Sequence, residues 1–211
     1  YYMSPDWFLD NDARYDNYPR YGDGKSAKVF AGEYACHTNG GPSKQGENSL
    51  YSALCEAAFM TGLERNADVV VLASYAPLFA RYGYTQWSPN LIWFDGEESF
   101  ATPSYYVQQL FSKYRGVRTL NIDLGVNAEE EKKQGIYASA VVDAQGRTIV
   151  KIVNASEEDK EVALDYERIL ENAEYICETL TEEGLKKSEG KLLNKKIRVT
   201  KQSFSVIILS E

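Results

Sequence analysis

The chain has 211 residues, 44% of them hydrophobic and 26% charged, the make-up of an ordinary globular protein able to bury a core. An eight-fold barrel alone takes about 250 residues, so a complete barrel enzyme does not fit, while one large or two small domains do. A net charge of −8, with the basic pairs Lys132-Lys133, Lys186-Lys187 and Lys195-Lys196 standing apart and not interleaved with aromatics, argues against nucleic acid as a partner.

Residues 1–27 read as a tyrosine-rich loop and a short helix, started by Ser4-Pro5-Asp6 and stopped by Tyr21-Gly22-Asp23-Gly24. Residues 28–34 are a short apolar strand that runs into a carboxylate, Glu33, followed by loop residues 37–46. A strand buried on both faces tolerates a charge at its C-terminal end where the charge is used or meets water. That end is also where barrel and open α/β enzymes keep their chemistry. For an isolated glutamate, a carboxylate that meets water or caps the next turn is the commoner case.

Leu50, Leu54, Ala57, Ala58 and residues 60–62 recur at helical spacing after Asn48-Ser49, giving a helix near residues 49–65 with one apolar face. Residues 67–74, Ala-Asp-Val-Val-Val-Leu-Ala-Ser, form an apolar run typical of a fully buried strand. Strand, helix and strand make one βαβ unit. The loop 75–102 carries Tyr75, Phe79, Tyr82, Tyr84, Trp87, Trp93 and Phe94, and compact domains keep loops of this length chiefly for function. Pro103 then opens a helix to about residue 114, since proline suits the first helical turn, and Gly116 ends it.

From Val117 the helical period gives way to alternation. Leu120, Ile122 and Leu124 alternate, and residues 137–142 and 148–153 flank the hairpin signal Asp143-Ala144-Gln145-Gly146. Further strands fall at Val162 to Leu164, 175–177, 197–199 and 204–209, and short strands at this spacing mean a β-sandwich. The charge-rich runs 129–133 and 157–161 read as solvated loops.

The three cysteines, Cys36, Cys55 and Cys177, have no C-x-x-C spacing, which argues against a disulfide framework or a structural zinc site. His37 reads as a loop histidine. No apolar run reaches the roughly 18 residues of a membrane span. Asn154-Ala155-Ser156 fits the glycosylation sequon, a pattern that often arises by chance. The 16 Tyr and 3 Trp, concentrated before residue 115, suit a sugar-binding cleft, although a tyrosine-rich core has the same composition.

Several stretches follow in one order: Tyr1-Tyr2-x-Ser4-Pro5-x-Trp7-Phe8, Arg14-Tyr15-Asp16-x-Tyr18, Phe30-x-Gly32-Glu33-Tyr34-Ala35, Glu56-Ala57-Ala58-Phe59-Met60-Thr61-Gly62-Leu63-Glu64-Arg65-Asn66 and Ser74-Tyr75-Ala76-Pro77-Leu78-Phe79. In this wording the chain resembles the C-terminal half of the α-L-arabinofuranosidases of glycoside hydrolase family 51, strongly to about Phe111 and more weakly beyond. The resemblance implies α/β plus all-β architecture: the C-terminal portion of a (β/α)8 TIM barrel over residues 1–116, then a jelly-roll-like β-sandwich over 117–211. It implies a retaining, exo-acting enzyme that releases terminal arabinofuranose from arabinan or arabinoxylan, with no metal and no other cofactor. An arabinose-containing polysaccharide or oligosaccharide is the implied partner, with no nucleic acid and no membrane, and the substrate class favours a secreted or periplasmic setting.

By the same resemblance Glu33 is the catalytic nucleophile, Tyr1 or Tyr2 lies beside it, and Trp87, Asn90 and Trp93 wall the sugar cleft or pack their loop onto the barrel rim. The family's acid/base glutamate follows an asparagine. This chain has no Asn-Glu dipeptide, so that residue is expected upstream of Tyr1, and the chain alone is expected to be inactive and either to self-associate through its barrel part, as a homo-oligomer, or to be a piece whose upstream residues were removed. Cys36 reads as a small buried hydrophobe, and Glu56 and Glu64 as surface or packing residues. Two other readings stay open: a related retaining barrel glycosidase of xylosidase or endoglucanase type, and a non-catalytic carbohydrate-binding module, which has no need of a carboxylate at a buried strand end.

Overall fold

The structure is a computed structural model that describes residues 1–22, 26–38, 48–125 and 128–209. The expected helix stop at Asp23-Gly24 and residues 39–46 of the expected loop lie outside these. The chain divides into two units, Tyr1–Gln109 and Leu110–Glu211.

In the first unit the opening tyrosines are not simply loop. β1 (Tyr2–Met3) pairs in parallel with Ala35 and Cys36, because the carbonyls of Tyr1 and Met3 accept the N–H groups of Ala35 at 3.0 Å and His37 at 2.7 Å. Two exposed residues carry no periodicity that a sequence reading could catch. Ser4 caps α1 (Pro5–Asp10), its side chain accepting from the Trp7 N–H, with Pro5 in the first turn where the missing N–H costs nothing. β2 (Val29–Cys36) extends two residues past its expected end. Ser49 caps α2 (Leu50–Arg65), and β3 (Val70–Tyr75) lies parallel beside β2. The βαβ unit is therefore present, and the order β1-β2-β3 brings the C-terminal ends of three parallel strands to one edge.

Two expectations are corrected here. α2 has no single apolar face: every residue from Ser52 to Leu63 is buried, Glu56 included. Its small residues admit close neighbours. A Cβ at Gly62 would lie 1.6 Å from the Asp12 carbonyl oxygen, so the turn after α1 rests directly on the helix, where Arg65 reaches Asp12 at 3.0 Å and Asp16 at 3.4 Å. β3, expected to be fully buried, exposes Val71 and Leu72 at 53% and 61%. It is the edge of its sheet, and among the described residues nothing covers that stretch.

The expected loop 75–102 contains a small sheet of β4 (Phe79–Arg81), β5 (Ile92–Phe94) and β6 (Ser99–Ala101), with Tyr82 stacked on Trp93 at 5.1 Å. α3 (Pro103–Lys113) begins at the expected proline.

The second unit is a β-sandwich. Its elements are β7 (Arg118–Leu120), α4 (Ala128–Gln134), β8 (Ile136–Val142), β9 (Thr148–Asn154), β10 (Lys160–Ala163), β11 (Glu174–Thr181), β12 (Gly184–Lys191), β13 (Lys196–Val199) and β14 (Ser203–Leu209). A six-stranded antiparallel sheet, β12-β11-β14-β9-β8-β7, and the pair β10-β13 share one core, with Ile152 and Ile207 on the large sheet and Ile197 and Val199 on the small one. The β8–β9 hairpin forms where expected: Asp143 Oδ1 accepts from the N–H groups of Gln145 and Arg147, each at 2.9 Å, and Gly146 takes φ 85.

Two sequence expectations change in this unit, and the sequon asparagine takes a structural place. The charged run 129–133 belongs to a helix, α4, rather than a loop, and Lys160 and Glu161 of the second run already belong to β10. β12 was not expected, because Gly-Leu-Lys-Lys-Ser-Glu-Gly-Lys has no apolar alternation; pairing to β11 from Thr181↔Gly184 to Glu174↔Lys191 holds it in place. Asn154, the sequon asparagine, is fully buried, and its Nδ2 donates to the carbonyls of Glu158, Val199 and Thr200 at 2.9, 3.3 and 3.1 Å. In the folded chain it is a tie between strands and not a glycan acceptor.

Candidate active site

Glu33 is the fifth residue of β2 and stands level with the end of β3, where Tyr34 pairs with Tyr75. The register shifts between Ala31 and Tyr34. An irregularity of this kind re-aims side chains, and here Glu33 is exposed while Tyr34, Ala35 and Cys36 behind it are buried. The carboxylate opens into a cleft of ≈ 440 Å³, formed by Tyr2, Glu33 and His37 from β1 and the end of β2, and by Ala76, Pro77, Trp87 and Pro89 from the segment after β3. That volume suits one small-molecule unit.

The Tyr2 hydroxyl donates to Glu33 Oε2 at 2.8 Å. Burial first, then the hydrogen bond to Glu33 and its charge, push the Tyr2 phenol up to about 12, so it remains a protonated donor at neutral pH. His37, expected as a plain loop residue, is buried, with its ring 5.5 Å from that of Tyr2. What brings it into the cleft is the β1–β2 pairing, which runs on to the His37 N–H. No spacing in the sequence announces it.

The other expected site residues separate. Tyr1 turns away from the cleft: its ring stacks on Trp7 at 4.9 Å, its hydroxyl lies 2.8 Å from that of Tyr15, and Arg14 sits 5.2 Å over its ring. Trp87 lines the cleft with 48% exposure. Asn90 and Trp93 are buried and do not line it. Asn90 Nδ2 donates to the Trp87 carbonyl at 2.7 Å, its N–H donates to Asn48 Oδ1 at 2.9 Å, and Trp93 Nε1 reaches the same oxygen at 3.5 Å. Both therefore support the segment that presents Trp87. Cys36 and Glu56 are joined behind the cleft, the Cys36 N–H donating to Glu56 Oε1 at 2.8 Å. Among the described residues no three His, Cys, Asp or Glu side chains converge as a metal site requires.

A carboxylate at a strand end, held by a phenol donor and facing an aromatic-walled cleft, has the geometry of a nucleophile or a base. The family model for the α-L-arabinofuranosidase C-terminal domain matches residues 32–206. The chain is 52% identical over 120 residues to an extracellular exo-α-L-arabinofuranosidase of Streptomyces chartreusis, covering 57% of this chain and 13% of that protein. It is 35% identical over 166 residues to a probable α-L-arabinofuranosidase A of Aspergillus flavus, covering 77% and 24%. An arabinose-bound GH51 α-L-arabinofuranosidase structure superposes on 100% of this chain and 36% of its own, with TM-score 0.83 and 28% identity. The chain thus spans less than a quarter of the two named relatives and about a third of that structure. It belongs to the α-L-arabinofuranosidase C-terminal domain family.

Proposed function

We propose that this chain is the C-terminal part of a retaining, exo-acting α-L-arabinofuranosidase, with residues 1–116 contributing the last strands and helices of a (β/α)8 barrel and 117–211 a jelly-roll-like sandwich. The parallel βαβ unit with its chemistry at the C-terminal strand edge supports the barrel assignment. The observation that carries the reading is Glu33 at that edge with Oε2 fixed by the Tyr2 hydroxyl at 2.8 Å, open to the cleft. The activity printed for the relatives supports the sugar, and the extracellular setting named for the Streptomyces protein supports secretion.

In this reading Glu33 attacks the anomeric carbon of a terminal arabinofuranose while a second carboxyl, about 5–5.5 Å away, protonates the departing glycosidic oxygen. The C–O bond to the leaving group breaks as the Glu33 ester forms. The second carboxyl, now a base, then takes a proton from water, which attacks the same carbon and frees Glu33 with net retention. Tyr2 orients the attacking carboxylate and Trp87 offers the sugar an apolar wall. The chain has no Asn-Glu dipeptide, so the second carboxyl belongs to another part of the enzyme.

In the full-length enzyme, Glu33→Gln should cut turnover of an aryl α-L-arabinofuranoside by several orders of magnitude with the fold intact, because the amide fills the same volume and cannot attack. A folded Glu33→Gln enzyme with undiminished kcat would contradict the assignment.

A further inference from the structure

β2 outruns β3. The last rung between them is the Ala76 N–H to the Tyr34 carbonyl at 3.4 Å, after which Ala76 and Pro77 turn aside to wall the cleft. The next N–H on that side of β2, at Cys36, is buried and has lost the strand carbonyl that a continuing ladder would offer. It is met instead by Glu56 Oε1 at 2.8 Å, from a fully buried side chain in the middle of α2.

We propose that Glu56 is a positioning residue of the cleft: its carboxyl terminates the β2–β3 ladder at Cys36, which lets residues 33–37 and the Ala76–Pro77 turn diverge with the cleft between them. The inference rests on the reading of Glu33 as the nucleophile. On the other edge of β2 the Ala35 and His37 N–H groups are taken by β1, and Glu56 anchors the facing edge at Cys36, within the segment that carries Glu33 and His37. The carboxyl serves in its neutral form. Burial pushes its pKa up to about 8, against the smaller opposing effects of the Cys36 N–H and the nearby Ser104 and Tyr75 hydroxyls. Tyr75 carries the arrangement onward, its hydroxyl accepting from Asn48 Nδ2 at 3.1 Å, and Asn48 holds the segment that presents Trp87.

The test compares two variants of the full-length enzyme on an aryl α-L-arabinofuranoside. Glu56→Met keeps length and volume but removes the acceptor; Glu56→Gln keeps an oxygen for the Cys36 N–H. Glu56→Met should lower kcat about tenfold to a hundredfold with KM within about threefold, the cost of a small misplacement of a reacting group. Glu56→Gln should stay within about threefold of wild type in kcat. Hydrogen exchange of the peptide containing Cys36 should accelerate in Glu56→Met and not in Glu56→Gln. Wild-type kcat in a folded Glu56→Met, or an equal loss in Glu56→Gln, overturns the proposal. If Glu56→Met fails to fold, Glu56→Gln decides: kept kcat with a protected Cys36 amide supports it, and lost kcat or lost protection overturns it. Turnover by Glu33→Gln would remove the underlying reading of Glu33, whereas an inactive Glu33→Gln beside a wild-type-like Glu56→Met removes this inference alone.

Discussion

Of the two tyrosines that open the chain, Tyr2 brings its hydroxyl to the Glu33 carboxylate while Tyr1 turns its hydroxyl to Tyr15, and removing each hydroxyl should act on a different quantity. In the full-length enzyme Tyr2→Phe takes away the donor at 2.8 Å from Oε2. We expect kcat to fall by about one to two orders of magnitude, somewhat less than for a donor aimed at charge that develops in the transition state. Tyr1→Phe breaks a hydroxyl pair with Tyr15 at 2.8 Å; it should lower stability by about 1 kcal/mol and leave kcat as it was. Equal effects of both changes on kcat would contradict the geometry. Glu56 makes a pH prediction at the same scale. A carboxyl raised from 4.5 to about 8 on folding binds its proton more tightly in the folded state, so its contribution to stability is complete below pH 4.5 and is lost as the pH rises through about 8. Glu56→Gln cannot titrate. Its melting temperature should match wild type near pH 4 and exceed it progressively toward pH 8, and a difference that stays flat with pH would show the acid is not held neutral.

At the scale of elements, the close approach of α2 to the turn after α1 is set by Gly62, where an added Cβ would lie 1.6 Å from the Asp12 carbonyl oxygen. Gly62→Ala must push the two apart and should destabilise by about 1–3 kcal/mol or more, read as a lower midpoint of chemical unfolding; an unchanged midpoint would mean that the turn does not rest there. Elements whose residues carry their own period were legible in the sequence. β2 and α2 follow from an apolar run and a capped helical spacing, and the β8–β9 hairpin from Asp143 to Gly146 between two alternating runs. β12 was not legible, because its charged residues hold a strand only through backbone pairing to β11. Nor was the burial of Glu56, since a lone glutamate in a helix looks the same whether it faces water or the end of a neighbouring strand. The same limit hid His37, whose place depends on a two-residue strand far away in sequence. Asn154 shows the reverse case, a local pattern with a local meaning that three carbonyl partners override.

For the whole molecule, activity requires two carboxyls, and this chain supplies one of them in the proposed mechanism. The purified 211-residue chain should therefore turn over no aryl arabinofuranoside. Phe30, Val71 and Leu72 are exposed at 62%, 53% and 61%, an apolar surface of the kind that recruits another surface, and light scattering should find the bare chain self-associated, while a monodisperse monomer would argue against that account. The sandwich buries a core of its own. In the proposed mechanism Glu33 forms the covalent bond to the sugar. The most direct measurement treats the full-length enzyme with an arabinofuranose-configured electrophile that traps the nucleophile of a retaining enzyme, then digests it and reads the modified peptide by mass spectrometry. One equivalent of label is expected, on the peptide that carries Glu33 and on the Glu33 carboxyl; stoichiometric label on any other carboxylate, with Glu33 unmodified, would contradict Glu33 as the nucleophile.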